Sequence, residues 1–149
     1  MAAGKNYLVP VDFSKTSDIA IDHAVNLARE NKGKLILVHV IPTSAMMMAG
    51  PDVATAPMLV DIEKAQLEDA QKLVDKLVRK KKLKAGTFKP VIVKRGDPAQ
   101  AIAHQAKNNR AAMIVMGSHG RTGLKRLVLG SVAERTLRYA RCPVLIVKK

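Results

Sequence analysis

Apolar residues along this chain fall into short continuous runs that alternate with longer stretches of helical spacing. NYLVPV at 6–11 is the first run. Residues 14–31 follow, with Ala20, Ala24, Leu27 and Ala28 on one helical face and Gly33 expected as the stop. KLILVHVI at 34–41 is apolar without alternation, as a parallel strand buried on both faces requires. A long proline-bearing connection intervenes before helical spacing resumes from about Met58 to about Lys84. Leu67, Ala70, Val74 and Leu77 form its apolar face, while Glu68 with Lys72 and Asp75 with Arg79 are spaced to pair along its surface. KPVIVKRG at 89–96 reads as the third strand. Asp97, Pro98 and Gln100 then carry the N-cap, first-position and capping-box signals of a third helix. AAMIVMG at 111–117 and CPVLIVKK at 142–149 are the last two strands, with a helix opened by Ser131 between them.

This β-α-β-α-β-α-β-α-β order predicts one α/β domain over 1–149. The expected form is a three-layer α/β/α sandwich around a five-stranded parallel sheet, Rossmann-like, with strand order 3-2-1-4-5 and right-handed crossovers. Ligands of such sheets sit beyond the C-terminal strand ends where the winding reverses, here between strands one and four. Asp12 lies at the first of those ends and Gly117 at the second.

Composition narrows the chemistry. One cysteine, Cys142, excludes an intrachain disulfide and fits a reducing cytoplasm; it is expected to be a small buried residue. No run approaches a membrane span, so no membrane partner is expected. The balance of 26 Lys and Arg against 12 Asp and Glu, a net charge of +14, favours anionic partners. Its densest run, RKKKLK at 79–84, reads first as a solvated helix end, with Lys80, Lys81 and Lys82 at the sheet edge opposite the ligand mouth. Aromatics are 3% with no Trp, which argues against a stacking platform for single strands.

The richest chemistry follows strand four, in GSHGRTGLKRLVLGS at 117–131. Gly117, Gly120, Gly123 and Gly130 free the backbone for positive φ and leave room for a ligand against the N–H groups. A Cβ at Gly120 or Gly130 is expected to fill space meant for phosphate. Ser131 to Glu134, SVAE, reads as a capping box that aims a helix N-terminus at the same place. Neither a P-loop nor a dinucleotide fingerprint is present, so the nucleotide mode must be another.

Gly117-x2-Gly120-x9-Gly130-Ser131 resembles the signature of the ATP-binding branch of the universal stress protein family. The resemblance extends from VPVDFS through LVHVIP and GDPAQAI to CPVLIVKK, nearly the whole chain. It implies an ATP site, with Mg2+ or Mn2+ on the phosphates. Pro10, Val11 and Asp12 match the first-strand exit near the adenosine, and Val40 the position whose backbone reads the adenine edge. Met116 and Gly117 match the ribose floor. Ser118, His119, Gly120, Arg121, Thr122 and Gly123 match the loop along the phosphates; Gly130, Ser131, Val132 and Ala133 match the second glycine and helix start. Ala112 departs from the Asp that many relatives carry before strand four. The resemblance further implies a homodimer paired through the last strand.

Other readings remain open at this level. Asp12 has helix capping as its alternative role, and His119 has no visible nucleophile or carboxylate partner. His23, His39 and His104 read as structural, and Met46, Met47 and Met48 as part of a loop. With no base beside a positioned nucleophile, the chain reads as a nucleotide-dependent stress-response module, at most a slow ATPase. The rivals are a nucleic-acid binder using Lys76 to Arg95 and a scaffold for AMP or cyclic AMP.

Overall fold

The computed structural model describes residues 5–41, 56–93, 96–119 and 128–149. Five strands, β1 (Asn6–Pro10), β2 (Lys34–Val40), β3 (Phe88–Val93), β4 (Ala111–Gly117) and β5 (Val144–Val147), form one parallel sheet in the order β3-β2-β1-β4-β5. The helices are α1 (Lys15–Glu30), α2 (Ala56–Lys80), α3 (Pro98–Asn108) and α4 (Ser131–Tyr139). The expected strand order and layering are therefore observed. Central β1 carries the burial that its unbroken apolar run demands: Leu8 and Val9 are fully buried on opposite faces. Val9 joins Ile21, Ala24, Leu37, Leu77 and Val115 under α1 and α2, whereas Leu8 joins Ile36, Val38, Ile102, Ile114 and Ala133 under α3 and α4. None of the described helices is long and apolar enough to cross a membrane.

Element ends depart from the sequence reading for local reasons. Helix α1 stops one residue earlier than its glycine signal. Lys32 takes the left-handed position at φ 52, its N–H reaches Arg29 O, and the Gly33 N–H reaches Ala28 O at 2.7 Å. This is a Schellman closure with lysine in the usual glycine place. Gly33 is needed for another reason, because a Cβ there would lie 1.9 Å from the Lys5 carbonyl oxygen. Helix α2 ends in the same way, with Lys82 at φ 51, so it spans Ala56–Lys80 rather than reaching Lys84. Its surface pairing differs too: Lys72 bridges Asp69 and Gln71 donates to Asp75, in place of Glu68–Lys72 and Asp75–Arg79. Exposed side chains at i+3 and i+4 compete on nearly equal terms. The ladder of β5 covers only four residues of the apolar stretch at 142–149, and β3 is described to Val93.

Lys81 fastens α2 to α1. Its ammonium lies 3.0 Å from Asp18 Oδ2 and 2.8 Å from Asp22 Oδ1 and donates to the Asp18 carbonyl, while Lys80 reaches Asp18 at 3.3 Å. Partial burial pushes the Asp18 carboxyl up, but the hydrogen bonds and charges of Lys81 and Lys80 outweigh it and hold the group below its ordinary 3.8. Burial likewise pushes Lys81 down, and Asp22 and Asp18 prevail, holding it above 10.5. A depressed carboxyl stabilises the fold above its unfolded value and loses that contribution as pH falls through the folded one. A raised ammonium stabilises below its unfolded value and loses it as pH rises. Lys81→Gln is therefore expected to lower unfolding free energy by about 1 kcal/mol at neutral pH. The gap to the parent should narrow below about pH 3.8 and above about 10.5, read by urea denaturation across pH.

Candidate functional site

Where the winding reverses, the C-terminal ends of β1 and β4 part and leave a cleft of about 370 Å³. Its apolar floor is Val38, Val40, Ile102 and Met116; Pro10, Val11, Asp12 and Ser17 line one side, Pro98 another. Gly117, Ser118 and His119 and the start of α4, Gly130 to Ala133, close the rim. Twelve residues expected at the site thus share one cavity. Gly120, Arg121, Thr122 and Gly123 lie outside the described residues, as do Met46 to Met48.

The junction of β4 with α4 sets the rim. Ser118 N–H donates to Val147 O at 2.9 Å, and Ser118 O accepts the Gly130 N–H at 2.7 Å. Gly130, at φ −61, is the N-cap of α4 and offers no side-chain cap, so Ser131 is the first helical residue rather than the cap of a box with Glu134. The cause is space. A Cβ on Gly130 would stand 2.9 Å from Ser118 O, and one on Gly117 would stand 2.8 Å from Thr16 Cβ. Both glycines therefore serve close backbone packing, in place of positive φ or room for phosphate. The first intrahelical bond is Glu134 N–H to Gly130 O, which leaves the N–H groups of Ser131, Val132 and Ala133 without an acceptor among the described residues. Ser131 and Val132 are exposed and all three line the cleft.

Opposite, Asp12 lines the cleft without being the helix cap. Its Oδ1 accepts the Ser14 N–H at 2.9 Å while the residue lines the cleft; the capping of α1 falls to Ser14, whose Oγ accepts the Ser17 N–H. Thr16 Oγ1 donates to His119 O at 2.6 Å, tying α1 to the rim. His119 does have a hydroxyl neighbour: Ser118 Oγ stands 2.9 Å from its Nδ1. Nε2 is buried with no partner among the described residues, so no carboxylate orients the ring as a hydrolytic triad requires. His39 is structural as expected. Its Nδ1 donates to Val11 O at 2.7 Å and its ring packs on Phe13.

Ser17, Val38, Pro98 and Ile102 also line the cleft and were not singled out from sequence. The signals were local: Val38 shares a strand face with Val40, and Pro98 and Ile102 share a helix face. Asp97, the N-cap of α3, is held by Arg135 of α4 at 2.5 Å, which fixes those two residues against the rim helix. The Gln100 N–H, against a small burial cost, and then Arg135 keep the Asp97 carboxyl below the ordinary carboxylate range. The basic run lies nearer the site than expected, since Lys80 and Lys81 bind Asp18, the chain neighbour of Ser17.

Comparison with known proteins finds likeness along nearly the whole chain. The model of the Universal stress protein family matches residues 4–148. Universal stress protein MJ0531 of Methanocaldococcus jannaschii is 35% identical over 97% of this chain and 82% of its own length. The solved structure of protein MJ0577, from the same organism, superposes with TM-score 0.81 at 29% identity, covering 99% of this chain and 98% of that one. A universal stress protein solved in complex with cAMP shares the fold at TM-score 0.58 and 23% identity, covering 99% and 98%. With a family match from end to end and the same sheet order, this chain belongs to the universal stress protein family.

Proposed function

We propose that the cleft binds an adenine nucleotide, ATP by the glycine pattern, and that the chain acts in the cytoplasm as a nucleotide-dependent stress-response module. The observation that carries this reading is the uncapped N-terminus of α4, whose unaccepted N–H groups belong to residues lining a cavity with an apolar floor. The cavity volume falls within the ordinary range for small-ligand sites, and backbone donors at a positive helix pole suit phosphate. Val38, Val40 and Ile102 would hold the base, and Met116 and Gly117 the ribose. Ser118 to Gly123 with Gly130 to Ala133 would hold the phosphates.

Asp12 is the only acid among the described lining residues, and the described residues contain no cluster of three metal-ligating side chains. Mg2+ or Mn2+ would thus ride on the phosphates rather than in a protein cage; such an ion would neutralise phosphate charge. The cyclic nucleotide remains the rival ligand, and its known complex in a relative shares only the fold with this chain.

Ser131→Pro is the selective test. Proline suits the first helical position, and Gly130 at φ −61, ψ 151 has the conformation a preceding residue needs, so the helix should persist while one N–H is lost. ATP affinity, by calorimetric titration, should fall by about 1.5–3 kcal/mol, the range for a hydrogen bond to a charged group. Undiminished affinity in the folded variant would remove the helix terminus from the site. Gly130→Ala, by contrast, should destabilise the protein by about 1–3 kcal/mol through overpacking against Ser118, seen as a lower urea midpoint.

We further propose a homodimer through β5, an edge strand with Leu145 37% exposed. Val147 would be the wrong residue to alter, because its carbonyl faces β4 through Ser118 N–H; by strand alternation Ile146 N–H faces outward. Ile146→Pro should give a monomer in sedimentation, whereas Ile146→Ala, with the same core loss but its N–H intact, should remain dimeric. A parent protein that is monomeric at micromolar concentration would end this proposal.

A further inference from the structure

At the end of the sheet away from the cleft, the strands begin around a second cavity of about 470 Å³. Strand register places Asn6 beside Lys34 and Ile36 beside Lys89, and by alternation all four share the face covered farther along by α3. Asn108, Asn109 and Arg110, where α3 turns into β4, form the other wall. Three cations, Lys34, Lys89 and Arg110, line this groove and no acid does. Lys89 bonds only a neutral group, Asn109 Oδ1 at 3.1 Å, and neither Lys34 nor Arg110 has an ion pair among the described residues.

The bland account is that these cations neutralise the negative pole of α3. The hydrogen bonds already do so: Gln105 O accepts from Asn109 N and Nδ2, and Lys107 O accepts from Arg110 N. Arg110 moreover sits at φ 49, where glycine is the favoured residue and a side chain is strained. Lys32, which ends α1 just before β2, and Lys82, which ends α2, are cations in the same conformation. Three positions suited to glycine thus carry positive charge. Meanwhile Lys80 and Lys81, the core of the sequence's basic run, are already bound by Asp18 and Asp22.

We infer that this groove binds the phosphate backbone of a single-stranded nucleic acid, independently of the nucleotide cleft. From β3 through β2 and β1 to β4 the row of strand starts spans about 14 Å at ordinary strand spacing. That length is enough to set the three cations against successive phosphates of one strand. The floor offers Phe88 and Ile36 as apolar contact but no edge-reading array, so recognition is of backbone rather than sequence.

The test is fluorescence anisotropy of a labelled single-stranded oligonucleotide across salt concentration, with saturating ATP present and absent. The parent should bind with or without ATP. Lys34→Gln, Lys89→Gln and Arg110→Gly together should lower the log–log salt slope by up to about 2 units, at about 0.7 per phosphate contact. Each single change should lower it by about 0.7, which keeps the test decisive if the triple variant unfolds; Arg110→Gly relieves a left-handed side chain. ATP titration should be unaltered in all variants. Absence of binding by the parent at low salt, an unchanged slope in the variants, or displacement of the oligonucleotide by ATP would each overturn the inference. Retention of the parent by phosphatidylglycerol vesicles without oligonucleotide binding would assign the groove to a lipid surface and overturn it equally.

Discussion

The hydrogen bond from Gly130 N–H to Ser118 O, 2.7 Å across a contact with no room for a side chain, decides how this molecule can use its sheet. It draws the start of α4 against the end of β4, while Ser118 N–H holds the end of β5. The cap position of α4 is consequently bare, because any side chain able to cap would collide with Ser118. Three N–H groups are left at the positive pole of a helix, beside a cavity floored by Val38, Val40, Ile102 and Met116. Packing and the bare helix end are therefore one constraint: the closeness that excludes a cap is what leaves three N–H groups without an acceptor among the described residues.

The distribution of charge follows a similar logic. The densest cluster of cations reads from sequence as one basic run, yet two of its members, Lys80 and Lys81, hold helices together through Asp18 and Asp22. Lys34, Lys89 and Arg110, without acidic partners among the described residues, stand instead around the groove at the strand starts, and Arg110 takes a position a glycine would occupy more comfortably. The cleft and this basic end lie at opposite ends of the strands.

The fold was legible because burial on both faces writes itself as unbroken apolar runs, as in 34–41 and 111–117, and because helices between them keep their own period. Most of the site was legible through its glycine spacing, which points to a backbone device whatever the details. The details misled. Gly117 and Gly130 look from sequence like room for a ligand, but the space they leave is taken by Thr16 and Ser118, residues distant in the chain. SVAE looks like a capping box, although the real cap is the glycine before it. Lysine in a left-handed helix end has no sequence signature at all; at Lys32 the strand β2 starts two residues on, whereas Lys82 stands six residues before β3. Ser118 and His119 form a hydrogen-bonded pair that a search for separated catalytic partners passes over.

If the bare N-terminus of α4 is the anion site, backbone amide NMR reads it directly. Titration with ATP should shift the N–H resonances of Ser131, Val132 and Ala133 strongly, and adenosine, which lacks phosphate, should shift residues of the apolar floor while leaving those three nearly still. Equal shifts by adenosine and ATP at the helix start, or ATP-induced shifts confined to Lys34, Lys89 and Arg110 at the other end of the sheet, would contradict the account.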